Sequence, residues 1–365
     1  MSDDELLDLA VKTTAGMNAV VRDDRGLPSV MVRIPSFRVS EVVEKGRDGT
    51  HPAFLVGGRE VPEIYVSKYQ NVVIDGRAYS LPGQDPAAEM TFDEAIGYCE
   101  SKGVGWHLMT NAEWAAIALW CRANGFQPKG NNLLGKDVTE SVQTAIPSTY
   151  DAAGRVAHVR TGTGPVTWSH NGEASGIYDL NGNVCEFVGG VRTVHGEIHL
   201  IPGDGAAAHA DQSAGSDAWR AVLPDGTFVA PGTAGTLKYD FVADPARADV
   251  PPAGGVDGDG RWVLATEITA QSEEPRYCPF QLIRPAEGVE VPELFREQAL
   301  VPFDNDDPHG EDDVYLNNGA DEKVLNRGGA QHSHRTGGVF FYSGNGARDR
   351  RSYAIGFRAV YIPEC

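Results

Sequence analysis

Cysteine is scarce in this chain and poorly placed for chemistry. Only five occur in 365 residues. Cys99, Cys121, Cys185, Cys278 and Cys365 are widely scattered with no C-x-x-C pair, which excludes a disulfide framework and a zinc site. Reduced, buried thiols are expected instead. Basic charge is also in deficit: 31 Lys and Arg against 51 Asp and Glu give a net charge of −20. Phosphate-binding proteins normally present a basic face, so nucleic acid is not an expected partner. No apolar run approaches the roughly 18 residues of a membrane span. The amino-terminal MSDDELLDLAVKTT lacks the basic start and apolar run of a signal peptide. The expectation is synthesis in the cytoplasm without membrane insertion, any role outside requiring lysis or incorporation into a particle. There is no G-x-S-x-G elbow, no P-loop lysine and no G-x-G-x-x-G between a strand and a helix.

What is present supports a real core, since 41% of the residues are hydrophobic. An amphipathic helix with Leu6, Leu7, Ala10 and Val11 on one face is expected near the start. Strands are expected at Val30–Ile34, Ala53–Val56 and Ile64–Tyr69. Thr91-x-x-Glu94 and Thr110-x-x-Glu113 are capping boxes, predicting helices near 92–102 and 111–124. The second should set Trp114, Ile117, Ala118 and Cys121 on one face and end at Asn124-Gly125. Trp106, Trp114 and Trp168 read as core. Residues 195–320 are rich in Gly, Ala, Pro and Asp and read as an elaboration over a core, with strands at Trp262–Leu264 and Phe280–Ile283.

The segment between Arg327-Gly328-Gly329 and Ile355-Gly356-Phe357-Arg358 is different. AQHSHRTGGVFFYSGNGARDRRSYA has no apolar period that could bury one face, while the motifs at either end read as core strands. From Arg327 to Arg358 there are six Arg against one Asp, a formal +5. Aromatics, Arg and small polar residues together suit a recognition surface. The plainer alternative is a solvated loop whose arginines pair with the protein's own acids. In a strand, Phe341 would face away from Phe340 and Tyr342, so one side of this triplet should be buried.

The motifs together resemble the formylglycine-generating-enzyme branch of the C-type lectin fold. They are Ile64–Gln70, Phe92-Asp93-Glu94-Ala95 with Tyr98-Cys99, Leu108–Trp114, Gly176–Phe187, Arg327-Gly328-Gly329 and Gly356-Phe357-Arg358. The resemblance implies an α+β fold with two helices, a mixed and mostly antiparallel sheet and long irregular loops. Residues 51–365 would form this domain, with the elaboration at 195–320 and a variable region at 327–358. Residues 1–50 would be an extension serving as an attachment segment to a virion or surface assembly.

Within that branch the chain most resembles the variable proteins of diversity-generating retroelements, used by phages and bacteria to vary a binding surface. Adenine-directed mutation in that family yields Asn, Ser, Thr, Tyr, Phe, His, Arg, Gly, Ala and Asp but not Lys, Glu or Trp. The insert contains no Lys, Glu, Met or Trp. Gln331 stands where relatives often have Trp. Carried over by position, the diversified set is Ala330, His332, Ser333, Thr336, Phe341, Ser343, Asn345, Gly346, Arg350, Ser352, Tyr353 and Ala354. Phe341, Arg350 and Tyr353 are the expected anchors. Gly328, Gly329, Val339, Phe340, Ala347, Arg348, Ile355 and Phe357 would hold the backbone. The implied function is non-catalytic binding of a protein or glycan ligand on a virion or cell surface, with no cofactor required.

The alternative is a metal-dependent oxidase related to the formylglycine-generating enzyme. Those enzymes need a cysteine pair in the carboxy-terminal segment, and residues 327–358 have none. Iron-dependent relatives use histidines; His332 and His334 would share a strand face, with His309 or His170 completing a set. Asn181, Gly182, Val184 and Glu186 resemble a structural calcium turn of the enzymes. A simple turn with Glu186 paired to an arginine is the other reading.

Overall fold

The computed structural model describes residues 3–14, 16–249, 258–306 and 309–363. Two sheets share the core. The smaller has five strands, all antiparallel, ordered Asn18–Arg22, Pro28–Pro35, Glu63–Ser67, Ala359–Tyr361, Trp106–Leu108. The larger is built on Cys185–Val194, which pairs antiparallel with Glu197–Leu200 and Glu322–Arg327 and parallel with Ile355–Phe357. His195 and Gly196 join the first pair with φ of 47° and 79°, the left-handed conformation that a two-residue hairpin turn needs. A bulge between Val324 and Asn326 shifts the register of Glu322–Arg327 against both neighbours.

Both capping boxes form. Thr91 caps Phe92–Glu100 and Thr110 caps Asn111–Ala123, each hydroxyl accepting from the N3 amide while the glutamate accepts from the threonine amide. Trp114, Ile117, Ala118 and Cys121 are buried as expected, but so is every residue from Asn111 to Leu119, so this helix is buried all round instead of being amphipathic. Helix Asp3–Thr14 forms where an amino-terminal helix is expected, but Leu6, Leu7 and Ala10 of its expected apolar face are exposed. The architecture is thus the α+β arrangement expected, with few helices and a mixed, mostly antiparallel sheet.

Several expectations need correcting. Residues 1–50 are not a detached extension: Pro28–Pro35 is an interior strand of the smaller sheet, with Met31 and Val32 in the core. Nor does 195–320 lie over the core. Tyr239, Trp262, Phe280, Leu300 and Val314 belong to the same apolar cluster as Trp114 and Ile117, and strands Lys238–Ala243 and Gly260–Ala265 extend the larger sheet. Of the expected strand Ala53–Val56 only Leu55–Val56 forms, Pro52–Phe54 being a 3-10 turn, and Phe280–Leu282 is likewise a 3-10 turn, each turn with proline at its start or just before it. The Phe340–Tyr342 triplet is buried on both sides. Phe340 and Tyr342 join the cluster around Trp114, whereas Phe341 joins a second one with Phe92 and Phe187. Cys365 lies outside the described residues.

The two caps differ in one respect. The Thr110 hydroxyl also donates to Asp204 Oδ2 at 3.2 Å in the interior. Thr91→Ala is therefore expected to cost about 1 kcal/mol and Thr110→Ala about 2 kcal/mol in urea unfolding. Equal costs would show that the Asp204 contact contributes nothing.

Candidate functional site: exposed side chains on a pinned backbone

The segment 327–358 is anchored at both ends and in the middle by interior bonds. Arg327 Nε and Nη2 donate to Asn111 Oδ1 at 3.0 and 2.6 Å, and Nη2 also reaches the Gln298 and Ala299 carbonyls. Trp114 Nε1 donates to the Val339 carbonyl at 2.8 Å. The Phe340 amide donates to Asp312 Oδ2, also at 2.8 Å. Tyr342 donates to the Leu300 carbonyl at 2.9 Å and meets the Tyr239 hydroxyl. Arg348 binds Glu322 and Asp93, and Arg351 binds Glu94. At the far end Arg358 pairs with Glu186 at 2.9 and 2.7 Å, both side chains being almost fully buried. Gly328 and Gly329 sit at φ of 88° and 76°, and a Cβ on Gly328 would press on Trp114 and the Leu180 carbonyl.

Of the expected backbone-holding residues, Gly328, Gly329, Val339, Phe340, Ile355 and Phe357 are buried, while Ala347 and Arg348 are half-buried. The expected variable residues divide three ways. His332, Ser343, Asn345, Arg350 and Tyr353 are exposed or partly exposed, and among the described residues none makes a side-chain hydrogen bond or ion pair. Ser333, Thr336 and Ser352 are partly exposed but bond locally, Thr336 to the Ser333 carbonyl and the two serines to the Ala330 and Ala354 amides. Ala330, Phe341, Gly346 and Ala354 are buried and correct the expectation. Ala330, Phe341 and Ala354 pack with Cys185 and Val324 as an apolar floor, and a Cβ on Gly346 would meet only Arg350 Cδ, at 3.6 Å. Phe341, only 9% exposed, is floor and not an anchor.

Two of the exposed residues, Ser343 and Arg350, meet at Tyr315. Arg350 acts electrostatically on both Cys185 and Tyr315. Tyr315 is the cross-strand partner of Ser343 in a parallel pair. Nothing in its local sequence marks Tyr315; only the pairing of Asp313–Leu316 with Tyr342–Gly346 brings it here. The chemistry available is that of contact and hydrogen bonding. Burial pushes the Cys185 thiol up to about 12, so it carries no thiolate at neutral pH.

The histidine set does not assemble. His334 opens a 3-10 turn with φ of 55°, so it shares no strand face with His332. His170 lies against Trp120, and His309 packs between Phe280 and Phe340. The described residues contain no group of three His, Cys, Asp or Glu able to hold an ion.

The expected calcium turn is built differently. The carbonyls of Asp179, Gly182 and Val184 and Glu186 Oε1 converge on one point, the Gln70 side-chain nitrogen, at 3.1, 3.3, 3.0 and 3.0 Å. Asn181 points away, donating to the Pro128 carbonyl and accepting from Asn132. The oxygens are those a hard cation would choose. However, an amide holds their centre, and the one carboxylate is neutralised by Arg358, so these residues do not fit an added dication.

With geometry and topology in hand, the class is clear: an α+β domain of C-type lectin type, elaborated in the manner of the formylglycine-generating enzymes. The chain belongs to the FGE-sulfatase family, the sulfatase-modifying factor enzyme 1-like domain, whose model matches residues 11–230. No curated protein matches it by sequence. Among solved structures it is similar to PvdO from Pseudomonas aeruginosa, at 13% identity over 94% of this chain and 98% of that one, with a TM-score of 0.38. It is also similar to Treponema denticola variable protein 1, at 11% identity over 95% and 99%, with a TM-score of 0.32.

Two outcomes are expected. Calcium or EDTA should leave the thermal midpoint unchanged; a midpoint that climbs with calcium would overturn the assignment of Gln70. Glu186→Ala strands a buried guanidinium and should cost about 3–5 kcal/mol, whereas Glu186→Leu with Arg358→Met should cost much less, both read by denaturant unfolding.

Proposed function

We propose that this chain is a non-catalytic binding protein whose segment between Gly329 and Ile355 presents a ligand surface diversified by a retroelement, carried on a phage or bacterial surface. The observation that carries the reading is the division of labour from Arg327 to Arg358. Arg327, Phe340, Tyr342, Arg348, Arg351 and Arg358 are tied to the rest of the protein, while His332, Ser343, Asn345, Arg350 and Tyr353 have no side-chain hydrogen bond or ion pair among the described residues. A site that tolerates wide substitution must vary side chains whose loss costs nothing in the fold, on backbone fixed by others. The free set holds an arginine and a tyrosine, the residue types that dominate binding hot spots.

The rival reading, a metal-dependent oxidase, has little support. Its chemistry needs an accessible thiolate or a ligand cluster, and the four described cysteines are buried.

The test is a library varying those five positions together. Most members should keep their unfolding free energy within about 0.5 kcal/mol per change, and different members should be selectable against different protein or glycan targets. Phe341→Asp, by contrast, should destabilise by about 3 kcal/mol or more. If most library members unfold, the surface is structural and the reading fails. In the source DNA, a near-copy of the 3′ end of the gene differing at adenines, beside a reverse transcriptase, is the expected companion.

A further inference from the structure

A groove of about 910 Å³ opens beside Tyr353, within the roughly 300–1,000 Å³ typical of ligand sites. Apart from Tyr353, its walls carry no variable position. They come from Val72 and Val73, the turn at 85–89 and the hairpin at 149–158, whose arms are tied by bridges Pro147–Val159 and Tyr150–Val156. Ala87, Ala88, Ala153 and Ala157 line it, and such short side chains leave depth.

Two aromatic residues flank this floor. Tyr150 is 60% and Tyr353 50% exposed. The Tyr353 ring stacks on buried His158 with centroids 6.3 Å apart, and His158 Nε2 lies 2.7 Å from the Tyr353 carbonyl. The rim is acidic. Asp151 is taken by Arg155 at 2.7 Å and Asp85 lies 3.5 Å from His158 Nδ1, whereas the Glu89 side chain has no lysine or arginine partner among the described residues, Arg351 donating only to its carbonyl. Asp85 is partly buried, which would raise its pKa, yet hydrogen bonding from His158 and Ser148 holds the carboxyl below its usual range, so it is ionised at neutral pH.

We infer that this groove is a constant subsite of the ligand surface and takes a cationic side chain, lysine or arginine, from a protein partner. The inference rests on the ligand-binding reading of the variable segment. Asp85 and Glu89 supply the counter-charge, the tyrosine faces supply cation–π contact, and the alanines admit the aliphatic stem. Tyr353 belongs both to the free set and to the groove mouth. Replacing it would reshape the entrance while the floor and the acids stay constant.

Titration of the full chain with N-acetyl-arginine methylamide and N-acetyl-lysine methylamide, followed by NMR at low salt, tests this. Saturable shifts at groove residues are expected, weakening as salt rises. Tyr150→Ala should weaken binding about threefold, and Asp85→Asn with Glu89→Gln roughly tenfold. N-acetyl-norleucine methylamide should not bind. Absence of saturation by either cation, equal binding of the norleucine probe, or indifference to both sets of substitutions would overturn the inference. Arg350→Ala keeps the two readings apart: it should leave the probe titration unchanged while weakening a target selected from the library.

Discussion

One buried ion pair joins the two halves of this protein. The chain leaves the larger sheet at Phe357 and enters the smaller one at Ala359, and the residue between them is Arg358. Its guanidinium grips Glu186 on the larger sheet and donates to the Ser67 carbonyl of the smaller one and to the Tyr178 carbonyl of the connecting loop. Gln70 then ties Glu186 to the loop carbonyls, and Asn183 donates to Gln70 Oε1 while accepting from the Val159 amide. A buried ion pair is weak evidence for net stability, because desolvation offsets the attraction. Its value here is geometric: five donors in a rigid plane fix where the sheets meet to within a hydrogen-bond length.

Arg327 does the same at the other end of the 327–358 segment. Two buried arginines thus stake down both ends of a stretch of thirty-odd residues, and Trp114 and Asp312 pin its middle through the Val339 carbonyl and the Phe340 amide. Because these contacts are either to backbone groups or from residues that are themselves fixed, they are indifferent to the side chains that change. Under the proposed reading, that arrangement would let a surface vary without each variant renegotiating the fold.

Much of this was legible in the sequence. The capping boxes placed two helices almost to the residue, because a cap is a local device that needs no tertiary information. The motif order gave the fold, and the RGG and GFR motifs gave the frame of the variable segment. Side-chain facing was less legible. Phe341 alternates with its neighbours as a strand residue should, but alternation cannot say that both sides of the strand are covered, and here a second core waits beneath it. Ala330 and Ala354 look like tolerant loop positions and prove to be floor. The role of Gln70 was invisible because it depends on carbonyls more than a hundred residues away. Residues 18–35 looked detached because the strands they pair with lie further along the chain.

Charge shows the same limit most clearly. A formal +5 over Arg327–Arg358 suggests a basic patch suited to an acidic ligand, yet most of that charge is interior or already paired. Arg327 and Arg358 are interior, while Arg348 and Arg351 are satisfied by Glu322, Asp93 and Glu94. Arg335 lies 3.8 Å from Glu311, and only Arg350 stands without a partner among the described residues. Coulombic attraction from one exposed guanidinium is small in water and screened within about 10 Å at ordinary salt. Recognition by such a surface must therefore depend on contact area, ring faces and directed hydrogen bonds, terms that respond to which side chain occupies each position and not to the segment's net charge. If the segment is diversified as proposed, a mutational process drawing on Asn, Ser, Tyr, His and Arg would vary those terms while leaving the interior ion pairs, and hence the fold, untouched.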